Sequence, residues 1–191
     1  MGRLNAEPIT GLEKGDRLFA ALELSKEIQA RLSNLQALIP GLKWTPAANL
    51  HLTLRFLGLV PPDKTERVRE ALRRVKGDSF PLAVAGLGLF QKRTGAVLWA
   101  GASREPALEK LKKEVDEALR ASAGLSLAEE RFFPHITLSR LKTPAPGSLK
   151  KTVREKAAER FGETAVAGFT LFRSILAPSG AVHEPVERYL C

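Results

Sequence analysis

The chain is poor in the residues that build disulfide frameworks and metal clusters. Its 191 residues include one cysteine, Cys191, and three histidines. One cysteine excludes an intrachain disulfide and a zinc cluster built on several thiolates, and it is typical of a protein from a reducing cytoplasm. The histidines show neither H-x-x-x-H nor HExxH spacing. We therefore expect a cytoplasmic protein that uses neither a metal nor another cofactor.

Long apolar runs and several catalytic signatures are also missing. No run of 18 apolar residues occurs, and residues 1–16 have no apolar core of a signal peptide, so we expect no membrane association. No G-x-S-x-G elbow or P-loop is present. The sequence Gly86-Leu87-Gly88 follows a predicted strand but lacks a third glycine and a following helix. These absences argue against a serine hydrolase and against a phosphate-binding P-loop.

The bulk composition is that of a globular protein with an excess of positive charge. Hydrophobic residues make up 44% and charged residues 27% of the chain, which argues against disorder. The length allows one domain over residues 1–191, built from two lobes. The formal net charge is +9. That charge fits a nucleic-acid partner, and it fits equally well a basic surface that only aids solubility.

Two of the three histidines lie in the same four-residue frame. Residues 51–54 read HLTL and residues 135–138 read HITL. With ten threonines in the chain, both frames would arise by chance roughly once in a few hundred cases, before the matching aliphatic residues are counted. Two imidazoles are the minimum equipment for acid–base catalysis without a metal.

Strand and helix patterns alternate along the chain. Apolar runs predict strands over residues 17–22, 51–57, about 80–90, 96–100, 135–139, 169–176 and 186–190. Apolar residues at helical spacing predict helices within the intervals 25–40, 61–75, 106–119 and 148–161. Ser25 and Ser148 are predicted N-caps, and Asp63 and Glu66 have the spacing of a capping box. The last helix is expected to carry Phe161 on its apolar side.

The order of elements in the first half returns in the second half. Corresponding positions, such as His51 and His135 or Phe80 and Phe169, are offset by 80 to 89 residues. This drift indicates two repeats of similar plan, at about 17–90 and 96–190. The predicted fold is α/β (α+β) and bilobal: two pseudo-symmetric lobes, each a mostly antiparallel sheet packed by helices, with a central cleft between them.

Strand geometry places the polar residues of each frame together. Side chains alternate between the faces of a strand, so His51 shares a face with Thr53, as His135 does with Thr137. Imidazoles can move protons to and from oxygens at phosphorus, and threonine hydroxyls can donate to the phosphate oxygens. Simple alternation predicts that Arg55 joins the His51 face as a phosphate ligand, and that Arg140 falls opposite His135.

Other candidate residues receive simpler interpretations. His183 has no matching frame near the turn predicted at residues 178–180, so it is interpreted as a surface residue. Four aromatic residues near the motifs could stack a nucleobase, although most of them are expected in the core: Trp44, Phe56, Phe132 and Phe133.

The motifs and their flanks resemble a known superfamily. The segments WTP at 44–46, NLHLTLRFLG at 49–58 and FPHITLSR at 133–140 resemble the 2H phosphoesterases. Within that superfamily the chain is similar to the RNA 2′,3′-cyclic phosphodiesterases, historically called 2′-5′ RNA ligases. The sequence LFRS at 171–174 is also similar to that group, and the resemblance extends from about Leu18 to Leu190.

The resemblance implies a bilobal α/β fold and metal-free hydrolysis of RNA 2′,3′-cyclic phosphate ends to 2′-phosphates. It implies that His51 protonates the leaving 3′ oxygen and that His135 activates water. Thr53, Thr137 and Arg140 would hold the phosphate, and for Arg140 this requires a local twist or bulge that reverses the alternation. The implied partner is RNA with such ends, including tRNA fragments, without a membrane or an obligate protein partner.

Three other functions stay open at this point. A 2′-5′ RNA ligase could use the same site in reverse. A non-catalytic RNA-binding module could have inherited the fold, although retention of both motifs argues against it. A phosphodiesterase acting on a small cyclic nucleotide or on ADP-ribose cyclic phosphate would need no extended RNA, and salt-dependent affinity for oligonucleotides would distinguish it.

Overall fold

The described residues form an eight-stranded sheet covered by four α-helices, in a computed structural model that describes residues 15–122, 124–129, 131–177 and 180–191. The strands are β1 (Asp16–Glu23), β2 (His51–Val60), β3 (Phe80–Lys92), β4 (Gly95–Ala102), β5 (His135–Leu141), β6 (Arg160–Val166), β7 (Gly168–Ala177) and β8 (Gly180–Leu190). The helices are α1 (Lys26–Leu38), α2 (Pro62–Leu72), α3 (Pro106–Ser122) and α4 (Gly147–Glu155), with a short 3₁₀ turn at Ala47–Asn49. The predicted α+β class is confirmed.

The sheet is antiparallel throughout, and its middle is made by the two strands that carry the motifs. The strand order is β6-β3-β4-β5-β2-β1-β7-β8. Strands β2 and β5 meet at one register pair, Leu52 with Ile136. The two four-stranded halves on either side of this pair are the two lobes.

Each half of the sheet contains strands from both halves of the chain. Strand β3 comes from the first repeat but pairs with β4 and β6 of the second, and the hairpin of β7 and β8 comes from the second repeat but pairs through β7 with β1 of the first. Residues 90 to 96, between the two predicted repeats, therefore form the β3–β4 hairpin. The exchange links the lobes, because neither half of the sheet is made by a contiguous half of the chain.

The helices bury one face of the sheet and leave the other for the site. Ser25 caps α1 as predicted, with its Oγ accepting a hydrogen bond from the Ile28 amide at 3.3 Å. The apolar stripes of all four helices join one core cluster with inward residues of the central strands, such as Leu52 and Ile136, both fully buried. Full burial of such side chains is worth about 1.5–3 kcal/mol each. In the described part of the chain, no helix is both long and apolar enough for a membrane crossing.

Two predicted helix caps are wrong. Helix α2 has Pro61 as its N-cap without a side-chain hydrogen bond, and α4 likewise has Pro146. Helix α2 begins at Pro62, whose fixed φ suits the first turn and which has no amide hydrogen to cap, and Asp63 therefore lies inside the helix. Helix α4 begins at Gly147, so Ser148 also lies inside its first turn. Glu66 forms ion pairs with two arginines of its own helical face instead of a capping box.

The sequence prediction missed strand β6. It extended the last helix to Phe161, whereas α4 ends at Glu155 and Phe161 lies in β6, paired with β3. Phe161 is buried before Gly162, and burial then alternates from Thr164 to Val166. Gly162 therefore shifts the alternation within the strand. Gly162 has a φ of +118°, which a helix does not allow. The tip of the turn predicted at residues 178–179 lies outside the described residues, as does the segment 1–14.

Candidate active site

The register at the middle of the sheet brings both motifs to one place. Leu52 pairs with Ile136, and both side chains point into the helix-covered core. In an antiparallel pair, the residues on either side of such a pair point to the opposite face. His51 and Thr53 therefore lie beside His135 and Thr137 on the face that the helices leave open.

This face holds a cleft of about 950 Å³. A volume of that size suits a nucleotide-sized ligand. Its walls include every residue of the predicted site: His51, Thr53, His135, Thr137 and Arg140. The structure thus joins residues that are 84 positions apart in the sequence into one composite site.

Each motif histidine is held by the same backbone contact. Nδ1 of His51 lies 2.7 Å from the carbonyl oxygen of Asn49, and Nδ1 of His135 lies 2.7 Å from that of Phe133. A carbonyl only accepts, so each Nδ1 carries the hydrogen and each neutral ring has its lone pair at Nε2. In the first motif the Thr53 hydroxyl lies 3.1 Å from the Nε2 atom of His51 and donates to it. Orientation and tautomer are thereby fixed in both rings.

The surroundings of the histidines disfavour their charged forms. Burial is the main cause that lowers the pKa of His51, to about 4, and nearby His183, Arg140 and His135 lower it further against the opposing hydrogen bond to Asn49. Burial, followed by the charge of Arg140, also lowers the pKa of His135, again against its backbone hydrogen bond. Without a bound anion, both rings are neutral at pH 7.

A β-bulge in each motif strand explains why simple alternation fails after the threonine. In β2, Thr53 and Arg55 face consecutive residues of β1, so Leu54 is an extra residue. In β5, Thr137 and Ser139 face consecutive residues of β4 in the same way. One extra residue reverses the alternation. The bulge in β5 brings Arg140 to the cleft, as the family resemblance required.

The same effect in β2 carries Arg55 away from the cleft, so its prediction as a phosphate ligand is wrong. Arg55 is 2% exposed on the helix side of the sheet. Its Nε donates to Asp116 Oδ1 at 2.6 Å, its Nη2 forms an ion pair with the same carboxylate, and its Nη1 donates to the Ala128 carbonyl at 2.9 Å. Burial alone would raise the pKa of Asp116, but hydrogen bonds from Arg55 and Lys112 outweigh it and hold that pKa low.

Aromatic rings surround both histidines. The His51 ring lies 4.8 Å from that of Phe19, and the His135 ring lies 5.0 Å from that of Phe90, between ring centroids. Trp99 extends the second group, and only a glycine at position 88 leaves room for its indole, since a Cβ there would lie 2.0 Å from the ring. These rings exclude water from the sides of the imidazoles, which accounts for the desolvation.

The four aromatic residues noted in the sequence divide into two pairs. Trp44 and Phe132 are partly buried and pack against the core, which is half of the four and not most of them, and Trp44 also lines the cleft. Phe56 is 54% and Phe133 is 41% exposed. Phe56 lines the cleft at the position of its strand that matches Arg140 in the other motif strand.

His183 is the site residue that sequence reasoning missed. It was interpreted as a surface residue, but the structure places it in the cleft, with its ring 5.2 Å from that of His51 and 4.9 Å from that of Phe19. It comes from β8 and reaches His51 across β7 and β1. Neither motif nor spacing links positions 51 and 183, so only the sheet order reveals the contact.

No group of three or more histidine, cysteine or carboxylate side chains with metal-binding geometry occurs among the described residues. The basic groups around the cleft are instead arginine and lysine side chains, namely Arg17, Lys43 and Arg140.

The sequence matches a known family over most of the chain. The family model described as LigT like Phosphoesterase matches residues 22–99 and 101–183. The chain belongs to this family. The two matched segments contain the first and the second motif, respectively, and the prediction of a 2H phosphoesterase is confirmed.

Curated relatives share both family and length. A protein of Archaeoglobus fulgidus named RNA 2′,3′-cyclic phosphodiesterase is 32% identical over 175 residues, which cover 90% of this chain and 98% of that protein. A protein of the same name from Thermotoga maritima is 34% identical over 175 residues, covering 88% and 91%.

Solved structures show the same architecture. Crystalline E. coli LigT complexed with 3′-AMP superimposes with a TM-score of 0.76 at 28% identity, covering 93% of this chain and 98% of LigT. The crystal structure of TT0787 from Thermus thermophilus gives a TM-score of 0.72 at 33% identity, covering 91% and 97%. The bilobal fold is therefore shared with these proteins.

The contrast between the two arginines yields a test of their placement. Arg55→Ala removes a cation that balances the negative charge of the buried Asp116. We therefore expect the free energy of unfolding to fall by about 3–5 kcal/mol in a urea titration. The matched control Arg140→Ala removes an exposed guanidinium, and we expect a change within about 0.5 kcal/mol. Equal losses in the two variants would contradict the assignment of Arg55 to a structural ion pair.

Proposed function

We propose that the chain hydrolyses 2′,3′-cyclic phosphate ends of RNA to 2′-phosphomonoesters by metal-free catalysis with His51 and His135. The observation that carries this proposal is the cleft itself. Two imidazoles, each with Nδ1 bound to a backbone carbonyl, share it with the hydroxyls of Thr53 and Thr137. Curated relatives of nearly the same length bear the name RNA 2′,3′-cyclic phosphodiesterase.

The reaction needs one base and one acid on opposite sides of phosphorus. Nε2 of His135 takes a proton from water, whose oxygen forms a new bond to phosphorus. The bond from phosphorus to the 3′ oxygen breaks, and protonated Nε2 of His51 gives that oxygen its proton. The product carries a 2′-phosphate and a free 3′-hydroxyl, and the pair has exchanged one proton between its members.

The phosphate oxygens need donors that are in place before charge develops. The hydroxyls of Thr53 and Thr137 lie on the same face as the rings, and the guanidinium of Arg140 reaches that face through the β5 bulge. Hydrogen bonds from fixed donors stabilise the charge that builds up on these oxygens in the transition state. Arginine can also bind two phosphate oxygens at once.

Protonation of His51 depends on the substrate in this proposal. Its low pKa keeps it neutral in the free chain, and the negative charge of a bound phosphodiester favours the imidazolium. A ring of low intrinsic pKa is also a strong acid once it is protonated. His51 is thus suited to protonate a poor leaving group, the 3′ alkoxide.

The same site can open the cyclic phosphate with a hydroxyl of RNA instead of water. A 5′-hydroxyl that occupied the water position would form a 2′-5′ linkage, so a 2′-5′ RNA ligase is the second candidate. The similarity to solved structures of LigT is compatible with this second candidate. Incubation of RNA halves with the protein, followed by separation of ligated and hydrolysed products, measures the ratio of the two reactions.

RNA is the substrate class that the charge favours. The net charge of +9 and the basic residues Arg17, Lys43 and Arg140 at the cleft suit a polyanion longer than one nucleotide. In this proposal the natural substrates are RNA fragments, such as those of tRNA, in the cytoplasm, and no obligate protein partner takes part.

Replacement of either motif histidine tests the proposal. We expect His51→Ala and His135→Ala each to lower kcat on a nucleoside 2′,3′-cyclic phosphate by about 10²- to 10⁴-fold, because each removes one proton carrier. Circular dichroism melting serves as the control for folding. Turnover by a folded His135→Ala variant at the rate of the unmodified chain would rule out the acid–base pair.

The pH dependence of the reaction gives a second test. The reactive form of the free enzyme carries one proton on the pair, and both pKa values lie below the ordinary value of 6.5. Above both values the protonated fraction falls as pH rises, so kcat/KM should decrease about tenfold per pH unit above pH 7. The full profile should be a bell with its maximum below pH 6.5, whereas a maximum at pH 8 or above would contradict the assignment.

A further inference from the structure

The ring of His183 does more than line the cleft, because it contacts the rings of His51 and Phe19. Its ring meets that of His51 at an interplanar angle of 87° and that of Phe19 at 76°, with both centroid distances near 5 Å. Such edge-to-face arrangements are favourable and directional. The rings of His51, His183 and Phe19 therefore form one cluster in which each ring contacts the other two.

Asn49 links the strand of His183 to His51 by a second route. Its carbonyl oxygen accepts the hydrogen bond from His51 Nδ1 at 2.7 Å, and its side-chain Nδ2 donates to the carbonyl of Ala181 at 2.8 Å. Ala181 lies two residues before His183 on β8. The hairpin of β7 and β8 is thus joined to His51 by a ring contact and by a chain of two hydrogen bonds.

The environment of His183 keeps its ring uncharged. Its Nδ1 is buried and has no hydrogen-bond partner among the described residues. Protonation would place an unpaired N–H there, which is costly, and burial lowers the pKa of His183 accordingly. A neutral ring at this position shields His51 from water, and it adds positive charge beside His51 only when it is itself protonated.

Other charged or titratable groups lie near His51. Arg140 and His135 act on it from β5. Glu23 lies opposite it in the register of β1, but that carboxylate binds Arg188 and Thr170. Arg17 and Lys43 line the same cleft. His183 differs from these residues because its ring packs directly against the ring of His51.

We infer that His183 is a positioning residue, an uncharged imidazole of the β7–β8 hairpin that holds the His51 ring in place and keeps it neutral until substrate binds. This inference rests on the proposed role of His51 as the proton donor. It adds a third histidine to a site whose sequence motifs contain two, and it gives the hairpin a part in catalysis.

Three variants test the inference. His183→Ala removes the ring, His183→Phe keeps an uncharged ring of similar shape, and Ile175→Ala changes an exposed hairpin residue outside the cleft. The readouts are the pKa of His51, from NMR titration of the free protein, and kcat and KM on a nucleoside 2′,3′-cyclic phosphate. NMR spectra also report whether each variant is folded, and His183→Gln replaces His183→Ala if the latter does not fold.

We expect His183→Ala to raise the pKa of His51 by about 1, because burial decreases. Its kcat should fall about tenfold while KM stays within about twofold, as expected for a lost positioning contact. His183→Phe should restore kcat to within about threefold of the original value and keep the pKa of His51 low. Ile175→Ala should change none of these quantities.

An unchanged pKa of His51 in folded His183→Ala would overturn the inference, as would a change confined to KM, which would make His183 a substrate ligand. A His183→Phe variant as impaired as His183→Ala would overturn it too, because hydrogen bonding would then matter more than packing. The pKa measurement needs no substrate. Absence of turnover in the unmodified protein would therefore refute the proposed function while the NMR titration still decides the role of His183.

Discussion

The backbone pairing of Leu52 with Ile136 is the contact on which the rest of the structure depends. It joins the two halves of the sheet, and its antiparallel direction puts each motif histidine next to the threonine of the other motif. Both aliphatic side chains are fully buried under the helices, so their burial fixes which face the histidines occupy. A register shift by one residue would move an aliphatic residue into the cleft and a histidine into the core.

Paired bulges let similar strands carry different side chains to the two sides of the sheet. After the bulge, β2 sends Arg55 to the helix side and Phe56 to the cleft, whereas β5 sends Ser139 inward and Arg140 to the cleft. A nearly symmetric pair of strands thus becomes an asymmetric site, with a cation beside one motif and an aromatic ring beside the other. Such asymmetry gives a directional substrate two different ends to bind.

The sequence predicted the motif strands and the helix stripes well, because period-two and helical patterns are local. The expectation that His51 and His135 share one cleft followed from the repeated motif. The predicted position of Arg55 was wrong because a bulge is a feature of two paired strands. Alternation along one strand gives no information about its partner. His183 was missed for a similar reason, since its contact with His51 crosses β7 and β1. Strand β6 was missed because Gly162 interrupts its alternation.

The most direct test of the central claim is product analysis of a cyclic-phosphate RNA end in water enriched in ¹⁸O and in the presence of EDTA. We predict full turnover to a 2′-phosphomonoester that carries one ¹⁸O atom on phosphorus, read by ³¹P NMR and mass spectrometry. The 2′ position of the phosphate in the product reports that the 3′ oxygen was the leaving group. Loss of activity in EDTA, or a 3′-phosphate as the product, would contradict it.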